Sequence, residues 1–207
     1  MAVTLGTNAG FVTTAPTGSP AVGATSVKNQ ALVIKDTSPV DIIRISEIGW
    51  YVVNATDEDN FEVGLYSDDG TGEPNLLLEV SRTNAKGTTT GWKRVTGLNI
   101  SISPETIYWV AAQLDNTSPT TYTNIRNIGI TSHKYKFGAT TLSDPYGANS
   151  NSNWIVSIYA LVEVEAGVTR KIKIAGTFQD KPIKTKVGGT FVDKPIKIKV
   201  GGTFQDA

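Results

Sequence analysis

The length of the apolar runs is the feature that most constrains the fold of this 207-residue chain. Apolar residues alternate with polar ones or cluster in runs of about four to eight, and Gly, Asn, Thr, Ser and Pro separate the runs. Almost no segment repeats its apolar residues at the spacing of an amphipathic helix. The pattern therefore predicts an all-β protein.

The predicted strands cover 31–35, 42–53, 61–66, 76–80, 92–95, 98–102, 107–114, 122–131 and 154–165. Turn sequences such as Ser67-Asp68-Asp69-Gly70 separate them. Short strands at this spacing are typical of a sandwich, so the predicted fold class is an all-β, antiparallel β-sandwich body at 31–166. The four tryptophans lie in strand patterns and are expected in its core: Trp50, Trp92, Trp109 and Trp154.

Residues 1–30 differ from the body in composition, because small and polar residues dominate and Lys28 is the only charged side chain. Two structures fit this composition: an extended arm that wraps a neighbouring molecule, or a loop with one edge strand. The first residues have neither the basic start nor the apolar run of a signal peptide. No apolar stretch approaches the roughly twenty residues of a membrane helix, so neither export nor a membrane partner is predicted.

Few side chains suited to catalysis are present. The chain has no cysteine and one histidine, His133, which excludes disulfides, thiolate metal sites, cysteine nucleophiles and sites that need two imidazoles. His133 lies beside basic residues, and the sequence contains no Gly-x-Ser-x-Gly motif. We expect a surface or strand-edge histidine, no cofactor and no enzymatic activity.

Two acidic segments have the oxygen atoms that calcium prefers, Asp57-Glu58-Asp59-Asn60 and Asp68-Asp69-Gly70. Neither has the spacing of a twelve-residue EF-hand loop. Solvated turns are the expected structure, and no metal ligands are assigned, although a calcium site between two loops stays open.

A long loop suits sugar binding by composition. The stretch 138–153 is rich in Gly, Asn and Ser, and aromatic side chains lie in it and just before it. Aromatic rings and amides together stack on and hydrogen-bond to glycans. The candidate glycan-binding residues are Tyr135, Tyr146, Asn151 and Asn153; the alternative is an ordinary long loop anchored by a tyrosine.

The end of the chain is a repeat with a period of thirteen residues, at 168–180, 181–193 and 194–206. Each copy alternates apolar and lysine residues, then has a small pair such as Gly188-Gly189, which suits a turn or bulge. A unit this short cannot bury an apolar face alone. The residues assigned to assembly are Phe178, Phe191, Phe204, Ile183, Val187, Ile196, Ile198 and Val200.

Three structures for residues 167–207 stay open. These residues could form a small meander packed on the body, a β-repeat rod or docking module built between chains, or a nucleic-acid-binding segment. Three regularly placed phenylalanines are too few for a base-stacking platform, so nucleic acid is not predicted as a partner.

The net charge of zero results from two segments whose opposite charges cancel. Residues 1–166 carry ten basic and sixteen acidic side chains, 10 − 16 = −6, and residues 167–207 carry nine basic and three acidic ones, 9 − 3 = +6. Opposite charges attract within or between chains and are screened by salt. We therefore expect salt-sensitive self-association.

Two motifs carry a resemblance to known proteins. The segments Lys184 to Phe191 and Lys197 to Phe204 resemble short C-terminal Lys-x-Lys-Val-Gly-Gly-x-Phe repeats of structural proteins of tailed bacteriophages. The turn at 63–74, with Trp92 and the strand at 106–112, is similar to jelly-roll-like sandwich domains of extracellular and phage proteins.

The resemblance implies a virion protein, a capsid decoration or a head- or tail-fibre component, that acts by assembly. Its implied partners are itself, as a homotrimer, and other virion proteins such as the major capsid protein; a host surface glycan is a further candidate. The alternative function is a carbohydrate-binding module that recognises a cell-surface polysaccharide.

Overall fold

The computed structural model describes residues 2–20, 23–26, 29–54, 60–85, 89–114, 122–127 and 133–164, and six strands between residues 170 and 206. The chain divides into two compact units, Met1–Glu165 and Ala166–Ala207. The described residues contain strands and no helix, which confirms the all-β class. No helix among them is therefore long and apolar enough to cross a membrane.

The strands of the first unit, in chain order, are β1 (Gly10–Val12), β2 (Gly23–Ser26), β3 (Gln30–Thr37), β4 (Ile42–Asn54), β5 (Asn60–Asp68), β6 (Pro74–Ala85), β7 (Gly91–Ile100), β8 (Ile107–Leu114), β9 (Tyr122–Asn127), β10 (His133–Phe137), β11 (Ser150–Ser152), β12 (Trp154–Val156) and β13 (Ile158–Val164). They form two sheets. The seven-stranded sheet has the order β1-β13-β4-β9-β12, with β2 beside β9 and β7 beside β4. The six-stranded sheet has the order β11-β10-β3-β8-β5-β6.

Antiparallel pairing dominates both sheets, and the pair β1–β13 is parallel. The main core contains buried residues of both sheets, among them Ile48, Trp50 and Ile158 from one and Ile34 and Val110 from the other. Two sheets around one such core form the β-sandwich that the strand pattern predicts.

The N-terminal segment lies on the outer face of the seven-stranded sheet. After the edge strand β1, the carbonyl oxygens of Pro16 and Gly18 accept hydrogen bonds from Arg94 and from the Trp92 indole, the latter at 3.0 Å. Both donors belong to β7. The described residues of this segment contain two short strands, β1 and β2, which pair with β13 and β9.

The loop at 138–149 covers the outer face of the six-stranded sheet. Its side chains Leu142 and Tyr146 are buried in a second apolar cluster with Tyr66 and Trp109. The loop also covers the edge strand β6, because Asp144 accepts the backbone N–H of Leu77 at 3.0 Å. A covered edge cannot pair with another strand at this point.

Several predicted strand boundaries differ from the observed ones. The strands expected at 92–95 and 98–102 are one strand, β7, because Gly97 adopts a φ of 74° inside it without ending the pairing. The strand expected at 154–165 is interrupted at Ser157, whose carbonyl accepts the N–H of Tyr51 at 3.0 Å. The strands β1, β2, β10 and β11 are additional.

The tryptophan prediction is partly wrong. Trp50 and Trp109 are buried as expected, and Trp92 is half-buried on the outer face. Trp154 is 36% exposed and is the first residue of β12, at the edge of the seven-stranded sheet.

The second unit contains three separate two-stranded sheets. Their strands are β14 (Arg170–Ile174) with β15 (Thr177–Lys181), β16 (Lys184–Val187) with β17 (Thr190–Asp193), and β18 (Lys197–Val200) with β19 (Thr203–Asp206). Each thirteen-residue copy therefore contains one antiparallel hairpin.

Candidate functional site

The three hairpins share one register. In the second hairpin Lys184 pairs with Asp193, and Lys186 pairs with Phe191. The first hairpin pairs Lys171 with Asp180 and Lys173 with Phe178, and the third pairs Lys197 with Asp206 and Lys199 with Phe204. The sequence repeat is thus also a repeat of strand pairing.

This register separates each hairpin into two chemically different faces, because directly paired residues share a face and neighbours along a strand alternate. The lysine face of each hairpin contains two lysines, the aspartate and the phenylalanine. The other face, called here the uncharged face, contains Ile172, Ile174, Thr177 and Gln179, then Thr185, Val187, Thr190 and Val192, then Ile198, Val200, Thr203 and Gln205. In the first hairpin the same face continues with the charged pair Arg170 and Lys181 at the open end, so the name refers there to the four listed residues.

The residues that the sequence assigned to assembly fall on both faces. Val187, Ile198 and Val200 occupy the uncharged face, whereas Phe178, Phe191 and Phe204 occupy lysine-face positions. Ile183 and Ile196 lie outside the described residues. The apolar positions therefore do not form one continuous face. Residue spacing alone could not show this, because the register of the second strand depends on the turn between the strands.

Tyr146, one of the candidate glycan-binding residues, is not exposed as sugar stacking would require. Its side chain is fully buried, its ring packs edge-on against Tyr66 at 5.1 Å, and its hydroxyl donates to the Ala31 carbonyl at 2.9 Å. Burial, and secondarily the nearby Tyr66 hydroxyl, raises the pKa of Tyr146. The residue anchors the loop to the sheet and cannot stack on a sugar while the loop stays in place.

An aromatic row runs along β10 instead. The rings of Tyr135 and Phe137 pack edge-on with centroids 5.0 Å apart, and Phe137 is 66% exposed. Ser150 pairs directly with Tyr135 on the neighbouring strand β11. The exposed end of this row is accessible to a ligand.

The other two glycan candidates do not join this row on one surface. Asn151 pairs with Lys134, which lies on the opposite face of the sheet from Tyr135 because the two residues are neighbours along β10. Asn153 is exposed between β11 and β12. The four predicted residues are therefore not brought together. Tyr146 is buried, Tyr135 and Asn151 lie on opposite faces of the sheet, and Asn153 lies in the link between β11 and β12.

Beside Asn151 lies a buried charge that the sequence does not reveal. The Lys134 side chain is only 3% exposed, and its ammonium pairs with the half-exposed Glu73 carboxylate. The same ammonium lies 5.9 Å from the ring centroid of Trp109, and Asn149 donates to Glu73 at 3.2 Å. These contacts satisfy the charge and hold the loop at 138–149 to the β5–β6 turn.

His133 is not on the surface. It is 2% exposed, stacks on Tyr135 with ring centroids 5.7 Å apart, and neither ring nitrogen has a hydrogen-bond partner. Loss of hydration lowers the pKa of His133 to about 3. A neutral imidazole in this position acts as an aromatic core residue. The expectation of a surface or strand-edge histidine is wrong, because the residue is buried and β10 lies between β3 and β11.

The acidic turn at Asp68–Gly70 is held by its own hydrogen bonds. Asp69 accepts the backbone N–H groups of Thr71 at 2.7 Å and Glu73 at 3.1 Å, which lower its pKa. Among the described residues, no group of three or more His, Cys, Asp or Glu is placed to hold a metal ion. The other acidic segment, Asp57 to Asn60, lies outside the residues whose side chains are described.

Comparison with known proteins gives no relative: no protein-family description, no curated protein and no solved structure matches this chain.

Proposed function

We propose that this chain is a non-enzymatic structural protein of a tailed-phage particle, either a capsid decoration or a head- or tail-fibre component. The observation that carries the proposal is the threefold repetition of one hairpin with one register. Together with the resemblance of the repeat sequence to phage structural proteins, it favours a segment that works by repeated contacts. The resemblance also implies a homotrimer and docking to other virion proteins, such as the major capsid protein.

Elementary energetics supports an assembly role for the hairpins. An isolated two-stranded hairpin is marginally stable in water, and the second and third hairpins have four-residue strands. Contacts with further surfaces would stabilise all three hairpins together. A structure that becomes stable on contact is suited to docking at a particle surface.

Two measurements test the proposal. Light scattering measures the mass of the full-length chain and of a shortened chain ending at Ala166, from micromolar concentrations upward. We expect the full-length chain to associate and the shortened chain to remain a monomer; two monomers would contradict an assembly role for the repeats. Mass spectrometry of purified particles from the phage that encodes the chain should detect the protein, and its absence there would contradict a virion role.

A second candidate function, carbohydrate recognition, is favoured by the exposed Phe137 beside Tyr135. Aromatic rings at the exposed end of a strand offer a stacking surface for a sugar ring. A glycan array with the full-length chain should then show selective binding that Phe137→Ala abolishes. A matched control is Trp154→Ala, which removes an aromatic side chain of intermediate exposure from another strand; equal loss in both variants would contradict a site at Phe137.

A further inference from the structure

We infer that the uncharged faces of the hairpins are the surfaces through which copies of this chain bind one another, with the lysine faces turned to solvent. The inference rests on the proposed assembly function. It names the partner as a second copy of the three hairpins at 170–206, called here the tail. It divides the repeat residues into a contact set and a solvent set, a division that the sequence motif does not make.

The first argument is periodicity. One chain presents three such faces at intervals of thirteen residues, and the pairing pattern repeats over two residue pairs in each; the first face also carries the charged pair Arg170 and Lys181 at its open end. A partner that engages all three needs matching surfaces at the same interval, and another copy of the tail has them. Three linked contacts also bind more tightly than one, because the second and third form within an already joined pair.

The second argument is charge. The lysine face of each hairpin contains two lysines and one aspartate, so two such faces repel each other when copies meet. The uncharged faces of the second and third hairpins contain only Thr, Val, Ile and Gln, and β-branched residues of this kind pack well between sheets. Salt screens the repulsion between lysine faces. Added salt should therefore strengthen the contact between repeat segments, whereas it should weaken the attraction between the acidic body and the basic repeats that the sequence predicts.

The third argument concerns area and sets the strength of the contact. A face two strands wide and four residues long covers about 130 Å², so three faces offer about 400 Å² per chain. A stable interface needs about 800 Å² on each partner. Two isolated tails should therefore bind weakly, whereas copies held together on a particle should bind well because their local concentration is high.

Chemical cross-linking of the full chain tests the inference directly, because the protein has no cysteine of its own. We compare Thr185→Cys, on the uncharged face, with Lys186→Cys, the next residue along β16 and on the lysine face. The reagent is a bismaleimide whose span matches the ~10 Å separation of packed sheets. Wild-type association is measured in parallel by sedimentation at the same concentration.

The expected result is association of the wild type and at least fivefold more cross-linked dimer from Thr185→Cys than from Lys186→Cys. Equal cross-linking, or more from Lys186→Cys, overturns the inference. Association without cross-linking from either position also overturns it, because the copies would then meet elsewhere, while the assembly function would stand. A wild type that stays monomeric at all concentrations contradicts the proposed function itself.

A paired charge test makes the result independent of cross-linking chemistry. One variant carries Ile174→Lys, Val187→Lys and Val200→Lys on the uncharged faces. Its control carries Phe178→Lys, Phe191→Lys and Phe204→Lys on the lysine faces, which adds the same charge to the same hairpins. We expect the first variant to lose association at least tenfold and the control to lose less than threefold; the reverse order overturns the inference.

Discussion

The ring of Tyr159 lies directly over the backbone of Gly49 on the neighbouring strand, so closely that a Cβ atom added to Gly49 would be 2.7 Å from the ring. The Tyr159 hydroxyl donates to the Glu47 carboxylate, and the ring of Trp92 packs against it edge-on at 5.1 Å. Burial, with this hydrogen bond, raises the pKa of Tyr159. The tyrosine is therefore held on three sides and cannot move away from a larger residue.

Gly49→Ala should therefore destabilise the first unit, although alanine is ordinarily the more favourable residue in a strand. We expect a loss of about 1–3 kcal/mol, the usual cost of overpacking a fixed site. Urea unfolding followed by tryptophan fluorescence measures it, since all four tryptophans lie in this unit. Gly18→Ala, where a new Cβ meets nothing within 4 Å, is the control, and equal stability of the two variants would contradict the packing argument.

The buried His133 should make the protein acid-sensitive. The histidine titrates near pH 6.5 when unfolded and about 3 when folded, so the unfolded chain binds the extra proton between these values. Stability is fully present above pH 6.5 and is lost as pH falls toward 3, by about 2 kcal/mol between pH 7 and pH 5.

His133→Phe removes this titration and both unpaired nitrogens while keeping an aromatic ring against Tyr135. The variant should be more stable than the wild type at pH 5, by a larger margin than at pH 7. Asp36 opposes the trend, since burial raises its pKa despite hydrogen bonds from Phe11 and Thr37, so the comparison between wild type and variant isolates the histidine. An unchanged pH dependence in the variant would refute the assignment.

Tyr146 should govern the stability of the loop at 138–149. Tyr146→Ala removes a fully buried ring and is expected to cost about 3–5 kcal/mol, whereas Tyr146→Phe loses the hydrogen bond to Ala31 and should cost about 1 kcal/mol. Thermal unfolding with hydrogen exchange across the loop measures both. Phe137→Ala, at an exposed position, should change stability by less than about 0.5 kcal/mol. A loss as large as that of Tyr146→Ala would contradict the anchoring role of Tyr146.

Removing Glu73 should lower the free energy of unfolding more than replacing Lys134, its partner in the ion pair. Glu73→Ala leaves a buried ammonium without its carboxylate and should cost about 2 kcal/mol, moderated because Glu73 is half-exposed. Lys134→Met replaces the buried charge by an apolar chain of similar length and should change stability by less than about 1 kcal/mol. Chemical unfolding at neutral pH compares the two; a larger loss for Lys134→Met would be the contrary outcome.

The long strands were predictable because their apolar residues alternate over many positions. The strands β3, β4, β5 and β8 extend over the predicted segments with small changes at their ends. The strands β1, β2 and β11 have three or four residues and too few apolar side chains to show a period. Their pairing depends on neighbours that are distant in sequence, which a local pattern does not contain.

The surroundings of His133, Lys134 and Tyr146 could not be predicted for a related reason. The segment from His133 to Phe137 alternates basic and aromatic residues, a pattern typical of an exposed edge. The burial of Lys134 and Tyr146 comes from the loop at 138–149, which folds back over the sheet, and its many small polar residues resemble an ordinary surface loop. The repeat, in contrast, was evident because three copies reinforce one pattern.

In the described part of residues 170–206, the two strands of each hairpin pair with each other and with no other strand, so each hairpin is a separate pairing unit. A duplication or deletion of one thirteen-residue unit leaves every remaining strand with its original partner. Variation in copy number can therefore lengthen or shorten the repeat segment by whole hairpins, without any change in the strand pairing of the sandwich.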